Sequence, residues 1–334
     1  MRKLSGLLFG TIMSLTFMFY GGKNIEAKAE ETKVYIGGMS AGFTLKTGGA
    51  QIIGFCDVIG EDGARSPALN AGLLSGDIIT NVAGIEIDSI TELNDIINKN
   101  QGKEFSLEYI RNGEKQSICV KPIKDKATGR YKIGILVRDS VSGIGTVTYI
   151  DQEGRFGALG HSVIGENKQE MKISDGIVYE CSIIGIHKGV RGRAGELRGM
   201  FLNDKALGCA EKLCSCGIFG EIDENFKKSE KMLTVASSTD VRPGKAFIYS
   251  TISGVEPQKY SVEIVKVDFN NKENKNYVVK ITDEDLISET GGIVQGMSGS
   301  PIIQDGRLVG AITHVFLNDP TRGFGINIET MLKE

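Results

Sequence analysis

Residues 296–328 have the sequence GMSGSPIIQDGRLVGAITHVFLNDPTRGFGINI. The segment opens with Ser298 between glycines, and glycine allows the tight backbone turns that can expose a hydroxyl group. Two apolar strand patterns follow, joined by a short turn at Asp305-Gly306, and a third strand pattern comes near residue 325. A turn of this kind can also aim backbone N–H groups at one point, as an oxyanion requires. The segment therefore predicts Ser298 as a nucleophile, Ser300 as its alternative, and the N–H groups of Gly296 and Ser298 as oxyanion donors.

The overall composition is that of an ordinary globular chain of about two domains. Of 334 residues, 40% are hydrophobic and 24% are charged, and a net charge of −3 provides no basic surface for nucleic acid. The chain has 44 glycines and 6 prolines, and its apolar runs are short, which favours strands and turns over long helices. We expect a mainly β protein without a nucleic-acid partner.

The first thirty residues have the pattern of an export signal. Met1-Arg2-Lys3 is basic, residues 4–22 carry no charge, and Ala27-Lys28-Ala29 fits the small-x-small pattern of a cleavage site. Nineteen uncharged residues are also barely long enough to cross a bilayer. Residues 1–30 are therefore predicted to be a signal peptide or a membrane anchor, and either would place the rest of the chain outside the cytoplasm.

Residues 33–122 are predicted to form a first domain of mixed strands and helices. Its middle, residues 66–87, has the sequence SPALNAGLLSGDIITNVAGIEI, which predicts a short helix that ends at Gly72 and then a buried strand. Ser89 and Glu92 have the spacing of a helix capping box, and Asn112-Gly113 predicts a two-residue hairpin turn.

This first unit resembles a PDZ domain, and residues 66–87 carry the resemblance. PDZ domains bind an extended peptide as an added strand at a sheet edge. The resemblance implies a peptide-binding loop that includes Gly42 and Phe43, and the ligand could be the chain's own N-terminal region. The alternative is a purely structural spacer.

Residues 130–334 are predicted to form a second domain that is nearly all β. Short apolar runs punctuated by Gly and Asp are typical of a barrel or sandwich. The order of the serine turn and the hairpin after it resembles the second barrel of trypsin-like proteases, in particular the HtrA type. Met297 stands where ordinary trypsin-like enzymes carry an acidic residue, so activation through that ion pair is not expected here.

A nucleophilic serine needs a base, and histidine is the usual base near neutral pH. The chain has three histidines, His161, His187 and His314, and the first two precede the serine, as the His-Asp-Ser order of trypsin-like enzymes requires. His161 is the predicted base, and a structural role is favoured for the other two, although His314 could line the substrate cleft.

A carboxylate is expected to orient the imidazole and stabilise its charge. Asp283 follows a strand pattern between His161 and Ser298 and is the predicted partner, with Asp285 and Asp268 as rivals. The competing interpretation of Asp283 is that it caps a short helix.

Six cysteines are present, and three of them, Cys209, Cys214 and Cys216, crowd into CAEKLCSC at 209–216. Their spacing does not match a standard zinc pattern, so small buried residues or one local disulfide are preferred to a metal site.

Three segments together closely resemble the SpoIVB peptidases of serine peptidase family S55. They are FGALGHS (156–162), VKITDEDLI (279–287) and residues 291–329, which include the serine turn. The resemblance implies His161 as general base, Ser298 as nucleophile and Asp283 as acid partner, with no cofactor or metal. It also implies export from a forespore into the intermembrane space, cleavage of the chain itself near its N-terminus, and cleavage of a membrane-bound regulator that releases sigma-factor processing.

Two alternatives stay open. One is an HtrA-like quality-control protease, in which the PDZ domain usually follows the catalytic domain. The other is a non-catalytic PDZ adaptor with a decayed protease fold.

Overall fold

The computed structural model describes residues 31–165, 170, 173, 175–202, 206–223 and 231–334. The predicted export segment, residues 1–30, lies outside this part of the chain. Within the described residues, none of the helices has the length and apolar character needed to cross a bilayer.

The described chain is mainly β, as predicted. Its first part contains β1 (Lys33–Ile36), β2 (Ser40–Phe55), β3 (Val58–Gly60), β4 (Gly63–Arg65), α1 (Pro67–Ala71), β5 (Ile78–Val82), β6 (Ile85–Glu86), α2 (Ile90–Lys99), β7 (Phe105–Arg111), β8 (Glu114–Val120) and β9 (Ile123–Lys124). The middle contains β10 (Tyr131–Lys132), β11 (Ile135–Ile150), β12 (Arg155–Ala158), β13 (Gly176–His187), β14 (Glu196–Phe201), β15 (Gly208–Cys214), β16 (Gly217–Ile222) and β17 (Met232–Thr234). The last part contains a 3-10 helix (Ser238–Asp240), β18 (Gly244–Ser250), β19 (Gln258–Val267), β20 (Tyr277–Ile281), α3 (Glu284–Thr290), β21 (Pro301–Gln304), β22 (Arg307–Phe316), β23 (Asp319–Asn327) and α4 (Ile328–Met331).

Two six-stranded barrels form the protease part of the fold. In the first, the pairing runs β2-β11-β12-β16-β15-β13 and returns from β13 to β2, so the ring closes. In the second, the order β18-β19-β20-β23-β22-β21 closes through β21 and β18. The predicted mainly β architecture with two barrels is therefore confirmed.

The PDZ module lies between two strands of the first barrel. The first half of β2 pairs with β13 and β11 inside that barrel, whereas its second half pairs with β5 of the PDZ module. The strand changes partner around Gly48-Gly49, where a Cβ on Gly49 would lie 2.3 Å from the Ile79 carbonyl oxygen, so only glycine allows this approach. The predicted PDZ unit begins at residue 33, whereas residues 40–46 belong to the first barrel and β1 pairs with β11 and β17.

Most local signals within the PDZ module behave as predicted. Helix α1 ends at Gly72, which has a left-handed φ of 104°. The side chain of Ser89 accepts a hydrogen bond from the Glu92 N–H at the start of α2, whereas the Glu92 carboxylate accepts from the Asp88 N–H and not from the Ser89 N–H of a full capping box. Asn112-Gly113 forms the turn between β7 and β8, with positive φ at both residues. The core of the module is a cluster of buried apolar side chains that includes Ile52, Leu73, Ile79, Leu93 and Leu107.

A buried ion pair fixes the turn that leads into β5. The Asp77 carboxylate is 1% exposed and accepts two hydrogen bonds from the Arg111 guanidinium, at 2.7 and 2.6 Å. Replacing Arg111 with Ala would remove the cation from this carboxylate and leave it the hydrogen bond from the Leu74 N–H, which typically costs about 1–3 kcal/mol. We expect Arg111→Ala to lower the free energy of unfolding by that amount in urea denaturation.

Arg155→Ala is the matched control, because the Arg155 side chain is 65% exposed in its ion pair with Asp151. Exposed pairs contribute at most about 1 kcal/mol. Equal losses in the two variants would contradict a structural role for the buried pair.

Candidate active site

The serine turn, residues 296–300, joins α3 to β21 and lies against the first barrel. Gly296 and Gly299 have φ of 98° and 97°, a region that glycine adopts without strain. A Cβ on Gly299 would come within 2.0 Å of the Thr146 carbonyl oxygen and 2.6 Å of the Leu159 nitrogen. The glycine therefore allows the turn to pack directly on the segment that leads to His161.

Two threonines of β11 hold the serine turn in place. The Thr146 N–H donates to the Ser298 carbonyl at 3.0 Å, and the Thr146 hydroxyl donates to the Gly296 carbonyl at 2.7 Å. The Thr148 hydroxyl donates to the Gly299 carbonyl at 2.8 Å. Both threonines are fully buried, so these bonds are protected from water and fix the turn relative to the first barrel.

Ser298 and Ser300 differ in accessibility. The Ser298 hydroxyl lines an open pocket and donates to the Thr313 carbonyl at 2.6 Å. Ser300 is 0% exposed, and its hydroxyl donates to that of Ser250. Of the two candidate nucleophiles, only Ser298 is placed where a substrate can reach it.

His161 lies on the same pocket as Ser298. Its Nδ1 is 2.7 Å from the Ser162 carbonyl oxygen, which can only accept a hydrogen bond, so Nδ1 carries the proton in the neutral ring. Nε2 then holds the free lone pair. Desolvation lowers the pKa of His161 below its ordinary value, and the hydrogen bond to Ser162 opposes this shift. The imidazole is therefore neutral near pH 7 and can accept a proton at Nε2.

The His161 ring packs on the ring of His314, with centroids 4.7 Å apart. Desolvation, His161 and Lys275 lower the pKa of His314 as well, although its side chain retains an exposed face. Two neutral rings can share this position without the repulsion that two imidazolium ions would experience.

The pocket has a volume of about 580 Å³ and lies where the two barrels meet. Apart from the serine turn and the two histidines, most of the lining side chains are apolar, and they include Leu159, Ile293 and Val315. Among the described residues that line it, none carries a carboxylate, an ammonium or a guanidinium group. The pocket is chemically suited to an apolar side chain.

Two backbone N–H groups of the serine turn are available for an oxyanion. Within the described part of the chain, the N–H groups of Gly296 and Ser298 have no hydrogen-bond acceptor, whereas those of Met297, Gly299 and Ser300 do. Met297 itself is fully buried in the core of the second barrel, so apolar packing fixes the residue before the serine.

Asp283 occupies the N-cap of α3. One oxygen of its carboxylate accepts from the Leu286 N–H at 3.1 Å and the other from the Ser261 N–H at 3.0 Å. Among the described residues, the His161 ring has one hydrogen bond, to Ser162, and Asp283 does not line the pocket. The structure thus places His161 and Ser298 on one pocket, whereas the contacts of Asp283 match the capping alternative.

The capping role gives a direct prediction. We expect Asp283→Ala to lower the free energy of unfolding by about 1–2 kcal/mol, because a helix cap is lost and the Ser261 N–H loses its acceptor. Asp285→Ala is the matched control, since Asp285 is an exposed residue of the same helix. A fall of about 10⁴ in kcat for Asp283→Asn, at unchanged stability, would instead identify Asp283 as the partner of His161.

The remaining candidates lie away from the pocket. Asp285 is exposed, and Asp268 accepts from the Asn270 N–H in the loop after β19. His187 is exposed at the end of β13, 3.5 Å from the Glu196 carboxylate. None of these three residues lines the pocket around Ser298.

The structure also corrects the expected position of the PDZ peptide site. Gly42 and Phe43 lie in the first barrel, where each is paired with β11 on one side and β13 on the other. A strand with both edges paired cannot accept a peptide by strand addition. Phe43 instead lines the pocket around Ser298.

Two features of the site were not predicted from the sequence. The Ser162 carbonyl is a backbone group, and no residue type could have marked it. Thr313 is a polar residue at the end of the apolar run LVGAI, which was an available signal. Its hydroxyl is buried and has no hydrogen-bond partner among the described residues, while its carbonyl accepts from Ser298.

Comparison with known proteins gives two family matches. Residues 129–332 match the SpoIVB peptidase S55 family, and residues 61–121 match the PDZ domain family. The zinc metalloprotease RasP of Shouchella clausii is 49% identical over 53 residues, which cover 16% of this chain and 13% of that protein. A putative zinc metalloprotease of Lactococcus lactis is 35% identical over 80 residues, which cover 24% of this chain. The chain thus spans 13% and 18% of the lengths of these two relatives.

Solved structures with local similarity include a PDZ domain and a protease. The PDZ domain of an SdrC-like protein from Listeria monocytogenes is 25% identical, with a TM-score of 0.22 over 27% of this chain and 87% of that chain. The active form of the Rv3671c protease from Mycobacterium tuberculosis is 12% identical, with a TM-score of 0.33 over 59% of this chain and 74% of that chain.

The family match covers more than half of the chain. It includes His161, the serine turn and the whole second barrel, and the PDZ match falls on the module inserted into the first barrel. The chain therefore belongs to the SpoIVB peptidase S55 family of serine peptidases and carries a PDZ domain.

Proposed function

We propose that this chain is a serine endopeptidase in which Ser298 is the nucleophile and His161 is the general base. The observation that carries the proposal is the shared pocket. A neutral imidazole with a free Nε2 and an accessible hydroxyl lie on the same cavity, and unbonded N–H groups of the serine turn lie beside them.

The first chemical step requires the Ser298 side chain to rotate. The Ser298 hydroxyl donates to the Thr313 carbonyl in the resting state, and it turns toward Nε2 of His161 when substrate binds. Ser298 Oγ then attacks the peptide carbonyl while Nε2 takes its proton. The Ser162 carbonyl keeps the proton on Nδ1 and so maintains the tautomer that catalysis needs.

The second step releases the amine. The N–H groups of Gly296 and Ser298 stabilise the oxyanion, and one such donor is typically worth roughly 10²–10³ in rate. The protonated His161 gives its proton to the leaving nitrogen, and water then hydrolyses the acyl-enzyme with His161 again as base. The apolar lining of the pocket favours a peptide with an apolar side chain next to the cut bond.

The family resemblance supports a more specific role in sporulation. The enzyme is exported from the forespore into the intermembrane space and stays at the membrane, or is released when its N-terminal segment is cut. There it cleaves itself near the N-terminus and then a membrane-bound regulator, which releases sigma-factor processing in the mother cell. The PDZ module binds a peptide. Before self-cleavage, this peptide is the N-terminal region of the chain itself.

A covalent probe tests the catalytic assignment directly. A serine-directed phosphonate should label the wild-type chain at Ser298, as located by peptide mass spectrometry. The His161→Gln variant should be labelled much more slowly. Labelling at another serine would contradict the assignment. For the sporulation role, co-expression with the membrane-bound regulator should yield cut regulator only with the active enzyme.

A further inference from the structure

Two of the three clustered cysteines, Cys214 and Cys216, lie next to each other at the turn between β15 and β16. The Sγ atoms of Cys214 and Cys216 lie 3.0 Å apart. Cys216 is 2% exposed, and Cys214 is half-buried, so a reagent reaches Cys214 first. The third member of the sequence cluster, Cys209, is exposed on β15, and its Sγ lies 3.9 Å from the Glu211 carboxylate.

The surroundings of this pair favour an uncharged sulfur species. The Glu334 carboxylate lies within 4.8 Å of both sulfurs and is paired with the Lys212 ammonium. Burial raises the pKa of the Cys216 thiol, and the hydrogen bond with Cys214 and the charges of Cys214 and Glu334 raise it further. A metal ion would need both thiols ionised and would compete with Lys212 for the carboxylate. A disulfide carries no charge and avoids both costs.

The pair is also connected to the catalytic base. Gly217 follows Cys216 directly, and a Cβ on it would lie 2.3 Å from the Ala158 carbonyl oxygen and 3.2 Å from the Gly160 nitrogen. Ala158 and Gly160 belong to the segment that leads into His161. Leu159 within it has a φ of 67°, a strained value for a residue other than glycine, so neighbouring contacts hold this segment in place.

We propose that Cys214 and Cys216 are a redox-active pair whose reversible disulfide alters the position of His161. The inference rests on the proposed function for its effect on catalysis. Closing the sulfurs to bonding distance, about 2.05 Å, moves Cys216 and Gly217. Because Gly217 packs closely on Ala158 and the next residue, Ile218, pairs with Ala158 in the sheet, this movement is passed to the His161 segment, and the oxidised form is the less active one.

The oxidant is a disulfide-bearing molecule, either a small disulfide or a thiol–disulfide oxidoreductase. The Cys214 thiolate attacks one sulfur of that disulfide and releases the first thiolate, leaving a mixed disulfide. The Cys216 thiolate then attacks the Cys214 sulfur and releases the second. Two electrons pass to the oxidant, and the two protons lost by the cysteines end on the two released thiolates.

The experiment uses the full chain, oxidised with oxidised glutathione or reduced with dithiothreitol, then alkylated and digested. In the oxidised sample, the peptide that contains Cys214 and Cys216 should be lighter than its dithiol form by two hydrogens and should resist alkylation. Cys209→Ser should behave like the wild type, and Cys214→Ser should lose the response.

Imidazole NMR measures the effect on the base independently of activity. With three histidines in the chain, His161→Gln assigns the signal, and the exposed His187 serves as an internal reference. The His161 resonance should shift between the two redox forms while that of His187 stays. Phosphonate labelling of Ser298 should be slower by roughly tenfold in the oxidised form, since a 1 Å misplacement can cost on the order of 10² in rate.

Three results would overturn the inference. The first is that both thiols are still alkylated after oxidation. The second is that the disulfide forms but the His161 resonance does not shift. The third is that the purified chain holds stoichiometric Zn²⁺ that protects both thiols from alkylation. Absence of labelling in both redox forms would instead contradict the proposed serine chemistry, while the peptide mass and the NMR shift would still decide the role of the cysteines.

Discussion

Ser298→Ala should lower kcat for peptide cleavage by roughly 10⁴–10⁶, because removal of the nucleophile leaves only binding and oxyanion stabilisation. The substitution deletes one hydroxyl whose partner is the Thr313 carbonyl at the edge of the pocket. Stability should therefore change by no more than about 1 kcal/mol. The measurement is steady-state cleavage of an apolar peptide, together with mass spectrometry of the purified chain for self-cleavage.

Ser300→Ala is the matched control, two residues further along the same turn. Its hydroxyl is fully buried against Ser250, so the variant should lose about 1 kcal/mol of stability and retain its rate of cleavage. Full activity in Ser298→Ala, or inactivity in a folded Ser300→Ala, would transfer the nucleophilic role to Ser300.

His161→Gln should cause a loss of similar size, on the order of 10⁴–10⁶ in kcat, since the serine then has no base. The wild-type pH profile adds a second test. Activity requires neutral His161, and its pKa lies below the ordinary value of about 6.5, so the acid limb of kcat/KM should be centred below pH 6.5.

The control for this prediction is His187→Gln, which alters an exposed histidine away from the pocket and should leave the rate and the profile unchanged. An acid limb centred at or above pH 6.5 would show that His161 is not desolvated in the working enzyme.

The lowered pKa also affects folding. The unfolded chain, with an ordinary histidine pKa, binds more protons than the folded chain as pH falls through about 6.5. The contribution of His161 to stability is therefore complete above that pH and decreases toward acid pH.

Much of the fold follows from local patterns. The Asn112-Gly113 turn, the end of α1 at Gly72 and the hairpin after the serine turn are each set by residues adjacent in sequence, and glycine marks them clearly. Ser298 was predictable for the same reason, because its turn needs glycines on both sides.

The partners of long strands were not predictable in the same way. Alternation of apolar and polar residues indicates that β2 is a strand, but it does not say which strand pairs with it. The PDZ resemblance predicts Gly42 and Phe43 in a peptide-binding loop, whereas the residues that pair with them lie a hundred or more positions later in the chain. The Ser162 carbonyl escaped prediction because its role depends on chain geometry and not on the side chain.

Because β2 and β11 each run from the PDZ module into the first barrel, the module cannot be removed as a domain on a flexible linker could be. A truncated chain that starts at residue 129 would lack β2, which is one of the six strands of the first barrel, and the barrel would stay open. Strand β11 therefore belongs both to the module, at residues 135–138, and to the support of the serine turn, at Thr146, and its pairing with β2 shifts register between these two places.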